Sequence, residues 1–207
     1  MTESSVSSRQ DSPQRRNSRW RTVDIVVGAV LAVAFGIVFI GWNALWSVTG
    51  PAFTFFPPAQ AVIYGVWLLP GVLGGYLIRK PGAALFVELV AAFVSTIPGG
   101  PWNGGAIILY GLFEGLLPEL VYLAFRYRVG RGSVVPLAAA VAGLFPAVAD
   151  NVIYYPTWAF SWQLAYGVIV VASSLVIGTV VTLGLVRSLA RTGVLAPFPA
   201  GREQRSV

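Results

Sequence analysis

The sequence predicts an all-α integral membrane bundle of six transmembrane helices, and three observations carry that expectation. Of the 207 residues, 56% are hydrophobic and 11% charged, with a mean hydropathy of +0.73; a soluble domain would be about a quarter charged. No Asp, Glu, Lys or Arg occurs between Asp24 and Arg79, which is room for two spans at about 20 residues each. Gly- and Pro-rich breaks divide the remaining apolar chain into four more runs and leave no length for a separate soluble catalytic domain.

Residues 1–22 are rich in Ser and Arg (Arg9, Arg15, Arg16, Arg19, Arg21), too polar to bury a core, and read as a disordered cytoplasmic tail. The apolar run behind them imitates a signal peptide, but it has full span length and no convincing cleavage site, so it reads as an uncleaved first helix. That span covers about Val23 to Trp46 and ends at Ser47-Val48-Thr49-Gly50-Pro51 and Pro57-Pro58. The second covers about Ala59 to Ile78, and the third runs from Gly82 to about Ile97, stopping at Pro98-Gly99-Gly100-Pro101. The fourth covers about Gly104 to Phe125, the fifth about Val134 to Tyr154, and the sixth about Gln163 to Val186. The membrane domain is thus 23–190, with a cytoplasmic C-terminal tail over 191–207.

Basic residues set the orientation. Arg79 and Lys80 follow the second span, Arg126, Arg128 and Arg131 follow the fourth, and the others lie in the tails, while the loops 47–58, 98–103 and 155–162 carry no charge. With six spans, both tails and both basic loops share one side, which the positive-inside rule makes the cytoplasm. The net charge of +6 therefore reports topology, not nucleic acid, which would need a basic face on a soluble fold. Trp42, Trp46, Trp102, Trp158 and Trp162 fall at the opposite ends, where an interfacial belt alone would account for some of them.

Absences narrow the chemistry. The chain has no Cys and no His, which removes thiolate nucleophiles, disulfides, Cys- or His-based metal sites and Ser-His-Asp triads. Its single lysine, Lys80, sits in Arg79-Lys80-Pro81 and not behind a phosphate-binding loop. No metal, cofactor or catalytic group is expected.

Acids inside spans are the informative residues, because each costs about 2.5–3.5 kcal/mol at a helix centre. Glu88, Glu114, Glu119 and Asp150 qualify. Glu119, and to a lesser degree Glu88, reads as pairing with arginine or capping backbone groups. Glu114 and Asp150 read as functional: Tyr110 lies one turn before Glu114 on the same face, and Asp150 opens the run Asp150-Asn151-Val152-Ile153-Tyr154-Tyr155-Pro156-Thr157-Trp158. Carboxylates, aromatic faces and amides together suit a flat cationic heterocycle. Trp46, Tyr64, Trp102, Asn103, Tyr110, Glu114, Asp150, Asn151, Tyr154 and Trp158 are the candidate ligand residues, with Glu88 as deeper polar support. Pro70, Pro118 and Pro146 are expected to kink their helices and expose backbone acceptors. Gly28, Ala32 and Gly36 form a small-residue stripe that fits either a docking face for another membrane protein or an internal helix contact.

The segments Tyr64-Gly65-Val66-Trp67, Tyr76-Leu77-Ile78-Arg79-Lys80-Pro81-Gly82-Ala83-Ala84-Leu85, Glu88 with Ala91-Ala92, and Gly111 with Gly115-Leu116 and Glu119 resemble the substrate-binding S component of energy-coupling-factor (ECF) transporters. Within that group the chain resembles the YkoE-type subfamily, associated with thiamine or its hydroxymethylpyrimidine precursor; the likeness is strongest over about residues 60–128 and recurs in Thr192-Gly193-Val194-Leu195. The resemblance implies a six-helix bundle in a bacterial cytoplasmic membrane that captures a vitamin at its outer face. It also implies a transmembrane coupling subunit, two cytoplasmic ATPases, and small residues of the first helix docking on that subunit. Glu88 and Glu119 match the family's acids, whereas Ser95-Thr96 stands where a further polar or acidic residue is expected. The rival readings are an integral-membrane transferase with Glu114 or Asp150 as general base, and an accessory membrane subunit.

Overall fold

A computed structural model describes residues 19–100, 102–128 and 130–205. Residues 1–18 of the predicted tail and Pro101 of the loop after the third span lie outside the described residues. Among the described residues all regular structure is helical.

Helix α1 (Thr22–Thr49) runs into a 3-10 turn, Gly50–Phe53. Arg21 and Asp24 close its start: the Arg21 backbone N–H donates to Asp24 Oδ2 at 2.8 Å and the guanidinium pairs with Oδ1 at 2.7 Å. Next come a 3-10 segment, Pro57–Val66, and helices α2 (Leu69–Ile78), α3 (Ala83–Thr96) and α4 (Gly104–Ala124). A short 3-10 turn, Gly130–Gly132, precedes α5 (Val135–Ala142), α6 (Leu144–Ile153), α7 (Phe160–Thr192) and α8 (Pro199–Arg205).

Five stretches are long and apolar enough to cross a membrane: Thr22–Phe53, Pro57–Ile78, Gly104–Ala124, Val135–Ile153 and Phe160–Thr192. Helix α3 is apolar but has only 14 residues, or about 21 Å at 1.5 Å per residue. Bulky side chains such as Val30, Ile37, Val148, Val168, Val176 and Val180 are exposed on the outer faces, a surface suited to lipid and not to water. The protein is an integral membrane protein.

At the centre lies α2, with all ten residues buried, as a helix that is apolar on every side must be. It packs against α1, α3, α4, α5, α7 and α8. Its start is inside the bundle, where its unpaired N–H groups need acceptors. Pro70 removes one of them, and Glu88 Oε2 of α3 accepts from the Gly71 N–H at 2.7 Å. The start of α3 is treated alike: Glu119 of α4 accepts from the N–H groups of Gly82 and Ala84 at 2.7 and 2.8 Å and from the Tyr127 hydroxyl. Both glutamates therefore cap backbone.

Two predicted spans depart from a continuous helix. The second begins as ten residues of 3-10 helix, a long run for that geometry. It is held by outside partners: Ser173 Oγ of α7 accepts from the Gly65 N–H at 3.0 Å and donates to the Val62 carbonyl at 2.7 Å, while Trp42 Nε1 donates to the Ile63 carbonyl at 3.0 Å. A Cβ on Gly65 would meet the Ser173 carbonyl oxygen at 2.5 Å, so this close approach requires glycine. The fifth span breaks at Gly143 and not at Pro146, which sits harmlessly within the first turn of α6. A Cβ on Gly143 would lie 2.7 Å from Ser174 Oγ, so the break falls at a close approach to α7. Helix α4 runs through Pro118 without interruption.

The stripe Gly28, Ala32 and Gly36 is buried. A Cβ on Gly36 would sit 2.5 Å from Val94 Cβ, and one on Gly28 3.0 Å from the Phe86 ring, both on α3. Of the two readings of the stripe, docking face or internal helix contact, the isolated chain shows the contact with α3, and the face of α1 left open is the bulky one bearing Val30, Val33 and Ile37. The predicted C-terminal tail also packs on the bundle, burying Leu195, Phe198 and Ala200 and pairing Glu203 with both terminal nitrogens of Arg79 at 2.7 and 2.8 Å.

A candidate ligand-binding cavity

A cavity of about 300 Å³ lies where the 3-10 segment, α1, α3, α4, α6 and α7 converge. That is the lower end of the usual range for small-molecule sites, about 300–1,000 Å³. Its walls are mostly aromatic: Phe39 and Trp46 from α1, Tyr64 from the 3-10 segment, Trp67 just beyond it, Trp102 from the loop before α4, Tyr110 from α4, Tyr154 and Tyr155 after α6, and Tyr166 from α7. Asn43, Ala92, Ser95 and Ile107 complete the lining around three acids, Glu88, Glu114 and Asp150. Among the described residues no lysine or arginine lines it.

The acids are positioned differently. Asp150 is held by two phenols, Tyr110 Oη donating to Oδ1 at 2.6 Å and Tyr166 Oη to Oδ2 at 2.5 Å. Glu114 Oε1 accepts from Tyr64 Oη at 3.3 Å. Glu88 is fully buried, and beside the oxygen that caps α2 its Oε1 has no hydrogen-bond partner among the described residues. Buried acceptors are almost always paired, so this oxygen presents an unmet need for a donor at the cavity wall.

The rings form a connected box. Trp67 lies 5.1 Å from Trp46, 5.0 Å from Tyr64 and 6.0 Å from Trp102, centroid to centroid, all tilted or edge-on. Its indole N–H donates to Asn43 Oδ1 at 2.9 Å, fixing the ring against α1. Edge-on pairs leave ring faces available for a flat guest.

Of the sequence-derived candidates, Trp46, Tyr64, Glu88, Trp102, Tyr110, Glu114, Asp150 and Tyr154 line this one cavity. Three stand outside it, with other contacts. Asn103 caps α4 by accepting from the Gly105 N–H at 2.8 Å. Asn151 donates to the carbonyls of Ala147 and Gln163 at 2.8 and 2.9 Å, tying α6 to α7. Trp158 stacks on Tyr155 at 4.0 Å and backs the wall from behind. The structure adds Phe39, Asn43, Trp67, Ser95, Tyr155 and Tyr166. Asn43 carried a usable signal, an amide inside an apolar span toward its C-terminal end; the rings resemble ordinary span residues.

This helix arrangement has a solved counterpart. The crystal structure of an S component of an ECF transporter superposes with a TM-score of 0.83 at 31% identity, covering 91% of this chain and 94% of that one. The chain belongs to the family of membrane-embedded S components of ECF transporters. A family model described as the permease component of an ABC-type cobalt transport system matches residues 23–145. The putative HMP/thiamine permease protein YkoE of Bacillus subtilis (strain 168) is 32% identical over 185 residues, which is 89% of this chain and 92% of the relative.

Proposed function

We propose that this S component captures thiamine or its hydroxymethylpyrimidine half from outside a bacterial cytoplasmic membrane. It passes the ligand inward through a transmembrane coupling subunit driven by two separate cytoplasmic ATPases. The observation that carries this reading is the cavity itself: three buried carboxyl groups among nine aromatic lining residues, with no basic side chain among the described residues lining it. Such walls attract a cationic ring by charge and by the ring faces together. A thiazolium is a permanent cation, and an aminopyrimidine acquires charge by taking a proton that a carboxylate stabilises. The name of the Bacillus relative points to the same compounds. The cobalt in the family model's description fits these donors less well, since the chain has no His and no Cys and imidazole and thiolate are the preferred ligands of such metals.

In this reading α3 is a sixth, short crossing, and both tails lie in the cytoplasm with the basic loops, residues 1–22 and 191–207 flanking the membrane domain. Trp46 and Trp102 then mark the outer end of the cavity. Binding needs no chemistry from this chain; hydrolysis of ATP belongs to the partners. The test is a titration of the purified chain in detergent, following its tryptophan fluorescence, with thiamine, hydroxymethylpyrimidine and the anion pantothenate. Saturable quenching by one of the first two at on the order of micromolar concentration or below, without response to pantothenate, is the expected result. Equal response to the anion would overturn the reading.

A further inference from the structure

At the other end of the bundle lies a second cleft, about 420 Å³, whose charge is opposite to that of the first cavity. Arg21, Arg79, Lys80, Arg126 and Arg202 line it, together with Ile78, Tyr127 and three prolines, and among the described residues no carboxylate does. Two of these cations carry acidic partners at the cleft edge, Arg21 with Asp24 and Arg79 with Glu203, while Glu119 serves the start of α3 and the Tyr127 hydroxyl, so the five basic side chains still outnumber the acids paired with them. The backbone is bent to build this feature. Among the described residues the non-glycine positions with left-handed φ are Arg79 (53°), Arg126 (51°) and Tyr127 (55°), and all three line the cleft. Strained backbone of this kind persists where the surrounding fold enforces it, and it clusters at binding sites.

We propose that this cleft binds a phosphate monoester or diester group, and that its occupant is the headgroup of an anionic phospholipid. Its depth supports a lipid. Arg21 immediately precedes α1, Arg79 immediately follows α2, and Arg126 follows the end of α4 by two residues, which places the cations at the level where apolar spans meet headgroups. Within one turn of those positions the surface becomes apolar and open, at Ile25, Val26, Leu123 and Phe125, a surface for acyl chains. Trp20 Nε1 donates to the Pro81 carbonyl at 3.0 Å beside the cleft, a ring of the kind that settles at the headgroup level. Basic pockets between helix ends recognise anionic headgroups through the same combination of charge and depth. The inference is independent of which vitamin the first cavity takes.

The test is native mass spectrometry of the delipidated full chain in detergent, offered phosphatidylglycerol or phosphatidylcholine with identical acyl chains, with and without millimolar glycerol 3-phosphate. Retention of phosphatidylglycerol is expected to exceed that of phosphatidylcholine by about tenfold. The double variant R126Q/R202Q should lose that preference, whereas R128Q/R187Q, which removes equal charge outside the cleft, should keep it; thermal melts of both show that they fold. Displacement of the lipid by glycerol 3-phosphate would identify a soluble phosphate compound as the occupant and overturn the lipid assignment; lipid that stays bound supports it. Equal retention of the two lipids, or equal behaviour of the two double variants, would overturn the proposal. So would an R126Q/R202Q chain that keeps its lipid preference but no longer assembles with a coupling subunit, since the cleft would then be a protein dock.

Discussion

Tyr110 and Asp150 are joined by a 2.6 Å hydrogen bond that links α4 to α6 across 40 residues of sequence. Tyr166 of α7 supplies the second phenol to the same carboxylate, so one acid orders three helices around the cavity. A carboxyl group held by two donors and facing aromatic rings is already oriented before a ligand arrives, which reduces the ordering cost of binding.

Replacing Asp150 with Asn keeps the shape but removes the charge and one good acceptor. Thiamine affinity is expected to fall by about tenfold or more, equivalent to ~1.4 kcal/mol. A fluorescence titration of the variant checks this; unchanged affinity would mean that the charge of Asp150 does not face the ligand.

Glu119 caps α3 from outside the cavity, so Glu119→Ala should act on stability and not on recognition. Loss of an N-cap costs about 0.5–2 kcal/mol, and two backbone N–H groups are orphaned here. The expected result is a lower melting temperature in detergent with ligand affinity intact in the folded fraction. A normal melt with weakened binding would reverse the assignment.

Ser173 both accepts from and donates to the 3-10 segment carrying Tyr64. Ser173→Ala leaves a buried N–H without its acceptor, a loss of about 1–3 kcal/mol. It should destabilise the chain and weaken ligand binding together, because Tyr64 shifts with its segment. Melting and titration of one preparation separate the two effects, and a variant like the parent in both would show that the 3-10 geometry needs no such staple.

Gly36→Val tests where the small-residue stripe is used. With α3 as its neighbour, the added side chain meets Val94, and the isolated chain should lose stability by about 1–3 kcal/mol from overpacking. If the isolated variant melts normally and fails only in assembly with a coupling subunit, the stripe is a docking face after all.

The acid logic made much of this site legible from sequence. Charged groups are costly in a span, so Glu88, Glu114 and Asp150 stood out, and the aromatic run after Asp150 pointed to Tyr154. The structure gathers these with Tyr64, Trp46, Trp102 and Tyr110 around one space. Asn103 and Asn151 were legible as amides but not as helix caps and staples, because an amide beside a helix end serves either role. Trp67 and Tyr166 were hidden, since a ring in an apolar span has no local mark that separates lining from packing. Helix positions followed from apolar runs, but the 3-10 geometry of Pro57–Val66 depends on Ser173 more than 100 residues away, and the break at Gly143 on contact with α7. Such tertiary ties leave no trace in local periodicity.

The central claim is that a cationic ring binds among Glu88, Glu114 and Asp150. Its most direct test is a calorimetric titration of thiamine into the parent chain and into the neutralised triple variant E88Q/E114Q/D150N, each shown by melting to be folded. The account predicts saturable one-site binding to the parent and affinity lower by at least about a hundredfold in the variant. Equal affinities in two folded proteins would contradict it.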